Sequence, residues 1–277
     1  MTESLPALPP GTVDTHMHIY GPASEFPYPP GAKVPGEYPF SAYVALRKRL
    51  GIAKTVYVQP SAYGRDHTCM LDALRRDQGA RAVADIGPDI SDTELQDLHD
   101  AGVRAARIYD QGDGSTPFAE LEAIVARLQG AVDWHVILQP KRPAWEDLTS
   151  RLNALPGEFV IDHMGRIPVE KGTDDPGFKM MIALARDGRA WIKLSAPYHV
   201  SKSGAPGYDD CRARAEMLIE KCPDRLLWGT NWPHPNAVPP DNDDDQLLRT
   251  ISGWIGDGTE RQKIFVDNPH RLYGFEQ

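Results

Sequence analysis

Short apolar runs alternate with amphipathic segments along nearly the whole chain. Eight runs have the length and composition of β-strands, at residues 13–19, 55–60, 81–88, 103–109, 134–140, 159–165, 190–196 and 225–231. Segments with helical spacing follow them, at 41–50, 66–78, 91–102, 118–129, 144–154, 176–187, 207–222 and 243–255. This alternation predicts repeated βα units and a parallel sheet.

The segment SDTELQDLHDAG carries the clearest helix boundaries in the chain. Ser91 and Glu94 have the spacing of a capping box, in which each satisfies a free backbone N–H at the helix start. Gly102 supplies the residue that commonly ends a helix. We therefore predict a helix that begins just after Ser91 and ends before Gly102.

Eight strands that alternate with eight helices favour one closed (β/α)8 TIM barrel, an α/β fold, over two doubly wound domains. No internal linker divides the 277 residues, so we expect a single domain over 1–277. The Pro-rich segment 22–40 is too long for a simple βα turn. We interpret it as an ordered loop over the barrel mouth; a flexible insertion is the alternative.

Composition limits the class of protein and its partners. With 41% hydrophobic and 25% charged residues the chain is globular, and its formal charge of −9 argues against a nucleic-acid surface. The N-terminal segment lacks the basic and apolar regions of a signal peptide, and no apolar run approaches the length of a membrane span. We expect a cytoplasmic protein with no membrane contact. A small anionic substrate is compatible with this charge if basic side chains gather in a pocket.

The carboxyl ends of the predicted strands carry many polar residues, and in TIM barrels the active site lies at this end. Histidines are prominent among them. In THMH, His16 and His18 are two positions apart on a strand, so both side chains point into the barrel, and His163 reaches the same mouth from strand 6. Buried imidazoles need partners, which favours a functional site; a satisfied pair of core histidines is the alternative.

Three motifs, VDTHMHIYGP, VIDHMGR and WGTNWPHPN, resemble the amidohydrolase superfamily when taken in this order. Within it, the chain is similar to the 2-pyrone-4,6-dicarboxylate lactonase branch, and also to sulfomuconolactone hydrolase and galactarolactone isomerase. The resemblance implies a TIM-barrel hydrolase that opens a lactone ring in the breakdown of aromatic acids, with His16, His18 and His163 around the reacting carbonyl. Two alternatives are a sugar-acid lactone isomerase and a lactone-binding protein without catalytic activity.

Asn231 stands where most of the superfamily has an Asp that takes a proton from the attacking water. An amide cannot accept that proton at neutral pH, so Asn231 can position a water but cannot act as its base. Either the chemistry differs, as in an isomerase, or Asn231 replaces an original Asp through a deliberate change. The neighbouring Trp232, Pro233 and His234 are those expected around a working Asp, which favours the second interpretation.

A metal ion is the open question of this site. His16, His18 and His163 offer three nitrogen ligands, enough for one Zn²⁺ with a free coordination position. The resemblance implies either no cofactor or one zinc ion, because lactonases of this branch occur in both forms. Without a metal, protonated histidines would polarise the carbonyl.

The other polar residues at the mouth are expected to bind the substrate. Arg107, Lys141, Arg142, Lys193 and His199 carry or can carry positive charge, which suits a small anionic lactone. The loops after strands 4 and 7 lack basic residues that the dicarboxylate lactonases have, so one carboxylate, or a carboxylate and a sulfonate, fits better than a pyrone dicarboxylate. The predicted substrate-binding residues are Tyr20, Ser61, Tyr63, Arg107, Gln139, Lys141, Arg166, Tyr198, His199 and His234, and the predicted catalytic residues are His16, His18, His163 and Asn231.

Overall fold

The computed structural model describes residues 4–110, 115–140 and 145–276. Within these ranges eight strands form one sheet in which each strand is parallel to the next along the chain. They are β1 (Val13–Met17), β2 (Lys54–Val58), β3 (Arg81–Ala84), β4 (Val103–Tyr109), β5 (His135–Gln139), β6 (Phe159–Ile161), β7 (Ala190–Leu194) and β8 (Leu226–Trp228). Each corresponds to a predicted run.

Helices cover the outside of this sheet. They are α1 (Phe40–Leu50), α2 (Thr68–Arg76), α3 (Asp92–Ala101), α4 (Leu121–Leu128), α5 (Trp145–Ala154), α6 (Pro176–Arg186), α7 (Asp209–Lys221), α8 (Asp244–Ile255), α9 (Thr259–Gln262) and α10 (Asn268–Tyr273). The predicted capping box of α3 is present, and Gly102 ends this helix in the left-handed conformation. The short helices α9 and α10 were not predicted. No helix of the described residues is long and apolar enough to cross a membrane.

The barrel closes between β8 and β1 through residues just beyond the end of β8. The N–H of Asn231 donates to the carbonyl of His16 at 2.7 Å, and the N–H of His18 donates to the carbonyl of Trp232 at 2.8 Å. Asp14 strengthens the seam, because its carboxylate accepts bonds from the backbone and hydroxyl of Thr230 at 2.9 and 2.6 Å. The arrangement confirms the predicted (β/α)8 barrel and places Asn231 beside both histidines.

The inside of the barrel changes from apolar to polar along the strands. A cluster that includes Val83, Ala105, Ile137, Val160 and Trp191 fills its lower part. On the five strands that carry these residues, the next inward positions, two residues further along, are buried and polar. We call these the polar layer, and its members are Asp85, Arg107, Gln139, Asp162 and Lys193. The polar layer lies directly beneath the mouth.

Candidate active site

Two of the three predicted histidines owe their position to an irregularity in β1. Val13 belongs to the interior cluster, so strict alternation would turn His16 outward. The pairing of β1 with β2 shifts register between Asp14 and Met17, which restores an inward direction at His16 and His18. The two Nε2 atoms are 3.3 Å apart, and the ring centroids of His16 and His163 are separated by 4.7 Å. The structure therefore brings the three predicted imidazoles together.

Hydrogen bonds restrict the protonation of these rings. Nδ1 of His18 lies 2.8 Å from the carbonyl oxygen of Val58, so it carries the proton and donates, and Nε2 of His18 presents a lone pair to His16. In one arrangement, His16 donates from Nε2 to His18 and accepts at Nδ1 from the Lys193 ammonium at 3.1 Å. In the other, Nδ1–H of His16 faces Asp162 at 3.3 Å, and the lone pairs of both Nε2 atoms point at one place between the rings.

Asp162 and Lys193 form a fully buried ion pair below the histidines. Nζ of Lys193 lies 3.1 Å from Oδ1 of Asp162. Burial alone would raise the pKa of Asp162, but the charge of Lys193 and the contact with His16 hold it well below its ordinary value. Lys193 was expected to attract an anionic substrate from the mouth. This expectation is wrong, because Asp162 already neutralises it and the side chain is inaccessible.

Burial lowers the pKa of every histidine in the cluster. The pKa of His18 falls to about 3, because burial and then the charge of Arg107 disfavour the protonated ring. The pKa values of His16 and His163 also lie well below 6.5, with burial as the main cause. These rings are neutral near pH 7, so the expected protonated histidines are replaced by neutral N–H donors. Nδ1 of His163 lies 2.8 Å from the hydroxyl of Ser195; when that hydroxyl donates to Nδ1, the proton of the neutral ring is on Nε2.

A chain of hydrogen bonds begins at Asn231. Its Nδ2 donates to the hydroxyl of Tyr198 at 2.6 Å, and that hydroxyl lies 3.2 Å from Nδ1 of His234. Nε2 of His234 is 2.9 Å from the carboxylate of Asp244 and donates to it. Tyr198 therefore donates to His234, and the Asn231 amide keeps a fixed orientation with its oxygen free of this chain. Three predicted residues thus form one network with Asp244, which sequence reasoning had treated only as part of a helix start.

Backbone strain is concentrated near the same strand ends. His163, Met164 and Arg166 follow β6 with φ near +50°, and Asn231 and His234 follow β8 with φ of 60° and 62°. Positive φ is uncommon for residues other than glycine and costs free energy, so it persists where the surrounding structure requires it. This distribution supports a functional role for both loops.

Arg107 is the buried cation of the mouth. Its Nη1 donates to the carbonyl of Gln59 at 3.2 Å, Nη2 is 3.5 Å from Oε1 of Gln139, and the guanidinium lies 4.3 Å from the centre of the Tyr109 ring. No carboxylate of the described residues forms an ion pair with it. Arg166, from the loop after β6, is a second guanidinium in this region; burial, and in addition the charge of Arg107, lower its pKa.

The remaining predicted residues differ in their placement. Tyr20 is buried with its ring 6.4 Å from that of His18, and His199 packs 5.1 Å from the ring of His163. The hydroxyl of Tyr63 instead accepts from the N–H of Gly21 and donates to Tyr28, which ties it to the segment 22–40. Ser61 begins the short helix that contains Tyr63. Lys141 and Arg142 lie outside the described residues.

The histidine cluster suits a metal ion by its geometry. Ligand atoms of His16, Asp162 and His163 all lie within 4.8 Å of one another. Two nitrogens bound tetrahedrally to zinc at its usual distance are separated by about 3.3 to 3.4 Å, which agrees with the 3.3 Å between the Nε2 atoms of His16 and His18. Asp162 faces the other nitrogen of His16, as outer carboxylates do for zinc-bound histidines.

Comparison with known proteins identifies the family. The chain belongs to the amidohydrolase family, whose profile matches residues 13–275. A 2-pyrone-4,6-dicarboxylate hydrolase of Comamonas testosteroni is 39% identical over 98% of this chain and 92% of its own length. A 4-sulfomuconolactone hydrolase of Hydrogenophaga intermedia is 36% identical over 96% and 90%. An apo crystal structure of an Agrobacterium tumefaciens protein superposes with a TM-score of 0.89 at 32% identity, covering 98% of both chains.

The comparisons also bear on the predicted alternative. A D-galactarolactone isomerase of Agrobacterium fabrum is 33% identical over 97% of this chain and 92% of its own length. This identity is lower than that of both lactone hydrolases. The relatives therefore favour lactone hydrolysis over isomerisation.

Proposed function

We propose that this protein hydrolyses the ring ester of a small anionic lactone in the breakdown of aromatic acids. The observation that carries the proposal is the convergence of three neutral imidazoles, Asn231 and the buried cation Arg107 at one barrel mouth. A lactone with an acidic substituent fits this site, because its carbonyl needs hydrogen-bond donors and its acidic group needs a cation. The names of the two hydrolase relatives agree with this chemistry.

The histidines act on the carbonyl in this proposal. Donors aimed at the carbonyl oxygen stabilise the negative charge that develops when water attacks. His163 is oriented for this by the Ser195 hydroxyl, which donates to Nδ1 and leaves Nε2–H of the ring to donate into the pocket. If zinc is bound, His16, His18 and His163 would hold it, and it would supply carbonyl polarisation and a more acidic water.

Substrate contacts come from the predicted residues around this centre. Arg107 and Arg166 bind the acidic substituent, and Gln139, Tyr20 and His199 line the pocket. Tyr198 and His234 act through Asn231, since they fix its amide. We also propose that the segment 22–40 forms one wall of the mouth, because Tyr38 packs against Trp232 with 5.6 Å between ring centroids. Ser61, Tyr63 and Lys141 stay predictions from the sequence, as does a cytoplasmic location.

Asn231 limits the reaction in this proposal. It occupies the place where a carboxylate would accept the proton of the attacking water, so the chain binds and polarises a lactone but lacks that acceptor. The reaction class is tested by incubating the protein separately with 2-pyrone-4,6-dicarboxylate, a sulfomuconolactone and a galactarolactone. Loss of ring absorbance and release of acid are measured for each compound. Ring opening with release of acid is expected for an anionic lactone; a rearranged lactone without acid release would establish isomerisation instead.

Metal content is measured separately from activity. We expect the purified protein to bind about one zinc ion per chain by direct metal analysis if His16 and His18 act as ligands, and His18→Asn to lose it. Equal zinc content in both proteins would exclude this ligand pair.

A further inference from the structure

Asp85 is a buried acid that the proposed reaction does not use. It follows β3 directly and has no solvent exposure. Neither of its carboxylate oxygens has a hydrogen-bond partner among the described residues. Leaving such a group unsatisfied is costly, so its retention in the polar layer requires an explanation.

Register places Asp85 next to Arg107. Val83 pairs with Ala105 and Ala84 with Ala106, so the following pair is Asp85 with Arg107. Val83 and Ala105 both lie in the interior cluster, and alternation therefore points the side chains two residues later into the barrel. The two opposite charges are neighbours at the same level of the barrel mouth.

These two groups nevertheless do not satisfy each other. Arg107 is directed towards the carbonyl of Gln59 and the side chain of Gln139, and its Nε has no partner. The Asp85 carboxylate is influenced electrostatically by Arg107 and, more weakly, by Arg65. Arg65 itself is engaged by Glu120 at 2.8 Å. Among the described residues, Arg107 thus has a nearby acid that offsets its charge without occupying its hydrogen-bond donors, and the donors not used by Gln59 and Gln139 are available to a substrate.

We propose that Asp85 determines the charge selectivity of this pocket: its carboxyl group competes with the acidic substituent of the substrate for the charge of Arg107, so that binding of an anion is coupled to uptake of one proton by Asp85. This inference rests on the proposed function for the identity of the anion. With Asp85 ionised, Arg107 is largely compensated and an incoming anion meets a second negative charge. With Asp85 protonated, the full charge of Arg107 is available.

The direction of the pH effect follows from burial. Burial raises the pKa of Asp85 to about 7, and Arg107 and then Arg65 limit the rise. His67 approaches the backbone of the same residue: its Nε2 donates to the Asp85 carbonyl at 2.8 Å, and burial lowers its pKa. An anion on Arg107 removes part of the charge that stabilises ionised Asp85, so its pKa rises further in the complex. Anion binding is then independent of pH well below 7 and weakens as the pH rises through 7.

Two measurements on the intact protein test this coupling. The first is calorimetry of isophthalate, a ring diacid that cannot be hydrolysed, at pH 8 in two buffers of different ionisation enthalpy. For a pKa rise of one unit we expect uptake of about 0.4 proton per bound isophthalate at pH 8 in the original chain and none in Asp85→Asn. Isophthalamide, which has no charge, should cause no uptake in either protein.

The second measurement is the pH profile of KM for an anionic and a neutral lactone. A pKa rise of one unit on binding corresponds to a factor of about ten between low and high pH, of which about threefold falls between pH 7 and pH 8, so KM for the anion should increase about threefold over that interval. Asp85→Asn should remove this increase and lower KM for the anion at pH 8, while kcat and KM for the neutral lactone change little. Asp77→Asn, which removes a distant carboxylate paired with Arg47, serves as the matched control and should keep the original profile.

The outcomes separate this inference from the proposed function. Proton uptake with isophthalate, but no hydrolysis of any lactone, would support the coupling and refute the hydrolase. Hydrolysis with a pH-independent KM, or proton uptake that persists in Asp85→Asn, would overturn the coupling alone. Absence of both anion binding and a pH-dependent KM would overturn it as well, because Arg107 would then hold no anion. If Asp85→Asn does not fold, the calorimetry of the original chain decides.

Discussion

Asn231→Asp tests the central feature of the site, because it introduces a proton acceptor at a position that is otherwise complete. The backbone should tolerate it, since φ of 60° is accessible to Asp as to Asn and the N–H of residue 231 stays bonded to the His16 carbonyl. The Tyr198 hydroxyl, which now accepts from the amide at 2.6 Å, would turn and donate to the new carboxylate. Nδ1 of His234 then loses its donor.

We expect Asn231→Asp to gain catalytic rate at a loss of stability that the fold can tolerate. Loss of one buried hydrogen-bond partner costs about 1 to 3 kcal/mol of stability, a tolerable part of the roughly 5 to 15 kcal/mol of a folded protein. General-base catalysis contributes about 100-fold to 10,000-fold in rate, or roughly 3 to 5 kcal/mol of activation free energy. We therefore expect Asn231→Asp to accelerate lactone hydrolysis by about two to four orders of magnitude.

The assay measures the rate of lactone ring opening from the change in absorbance, under single-turnover conditions between pH 5 and 9. The rate of Asn231→Asp should rise with pH through the pKa of the introduced carboxylate, whereas the original chain should lack this limb. Asn231→Ala is the matched control, because it removes the amide without adding an acceptor and should give no gain. If the original chain hydrolyses an anionic lactone rapidly and Asn231→Asp is no faster, residue 231 does not hold the place of the base.

Four further predictions concern the surrounding residues. His16→Ala and His163→Ala should each lower kcat by about 100-fold to 1000-fold in protein that stays folded, because the Nε2–H of His163, and that of His16 in the first arrangement of its proton, stabilise the negative charge on the carbonyl oxygen; near-normal turnover would exclude that role. Arg107→Met should raise KM for an anionic lactone by roughly tenfold or more through loss of a charge-assisted bond, and leave a neutral analogue unaffected; equal losses would indicate a structural role. Lys193→Met should lower the free energy of unfolding by about 3 to 5 kcal/mol, measured by denaturant titration, because Asp162 is left as an unpaired buried charge; a small effect would mean that Asp162 takes up a proton. Finally, the free energy of unfolding should fall as pH decreases below 6.5, by up to about 1.4 kcal/mol per pH unit for each buried site histidine, because these rings bind protons in the unfolded chain but stay neutral in the folded one. Urea titrations at pH 5 and 7 with equal midpoints would contradict the lowered pKa values.

The sequence by itself determined the barrel and most of the polar mouth. Eight apolar runs alternating with helical segments leave few compact arrangements, and parallel strands with covering helices are the simplest. Once that fold is chosen, residues at strand ends must converge, which is why His163 and Asn231 could be assigned to the same mouth as His16 from position alone. The capping box at Ser91 was predictable for a different reason: it depends only on contacts within one turn of a helix.

Only the tertiary structure decided how the charges of the polar layer combine. His16 and Lys193 are separated by 177 positions, and their contact depends on the closure of the barrel. The sequence indicates that Lys193 is a free cation for the substrate, but it is paired with Asp162. Asp85 lies within the predicted run 81–88 with no assigned role, but it is buried, and strand register places it beside Arg107. The inward direction of His16 also needs a register shift in β1 that no local pattern specifies. Alternation along a strand is a local property, whereas the partner of a buried charge is set by strand register across the barrel and by the exclusion of water.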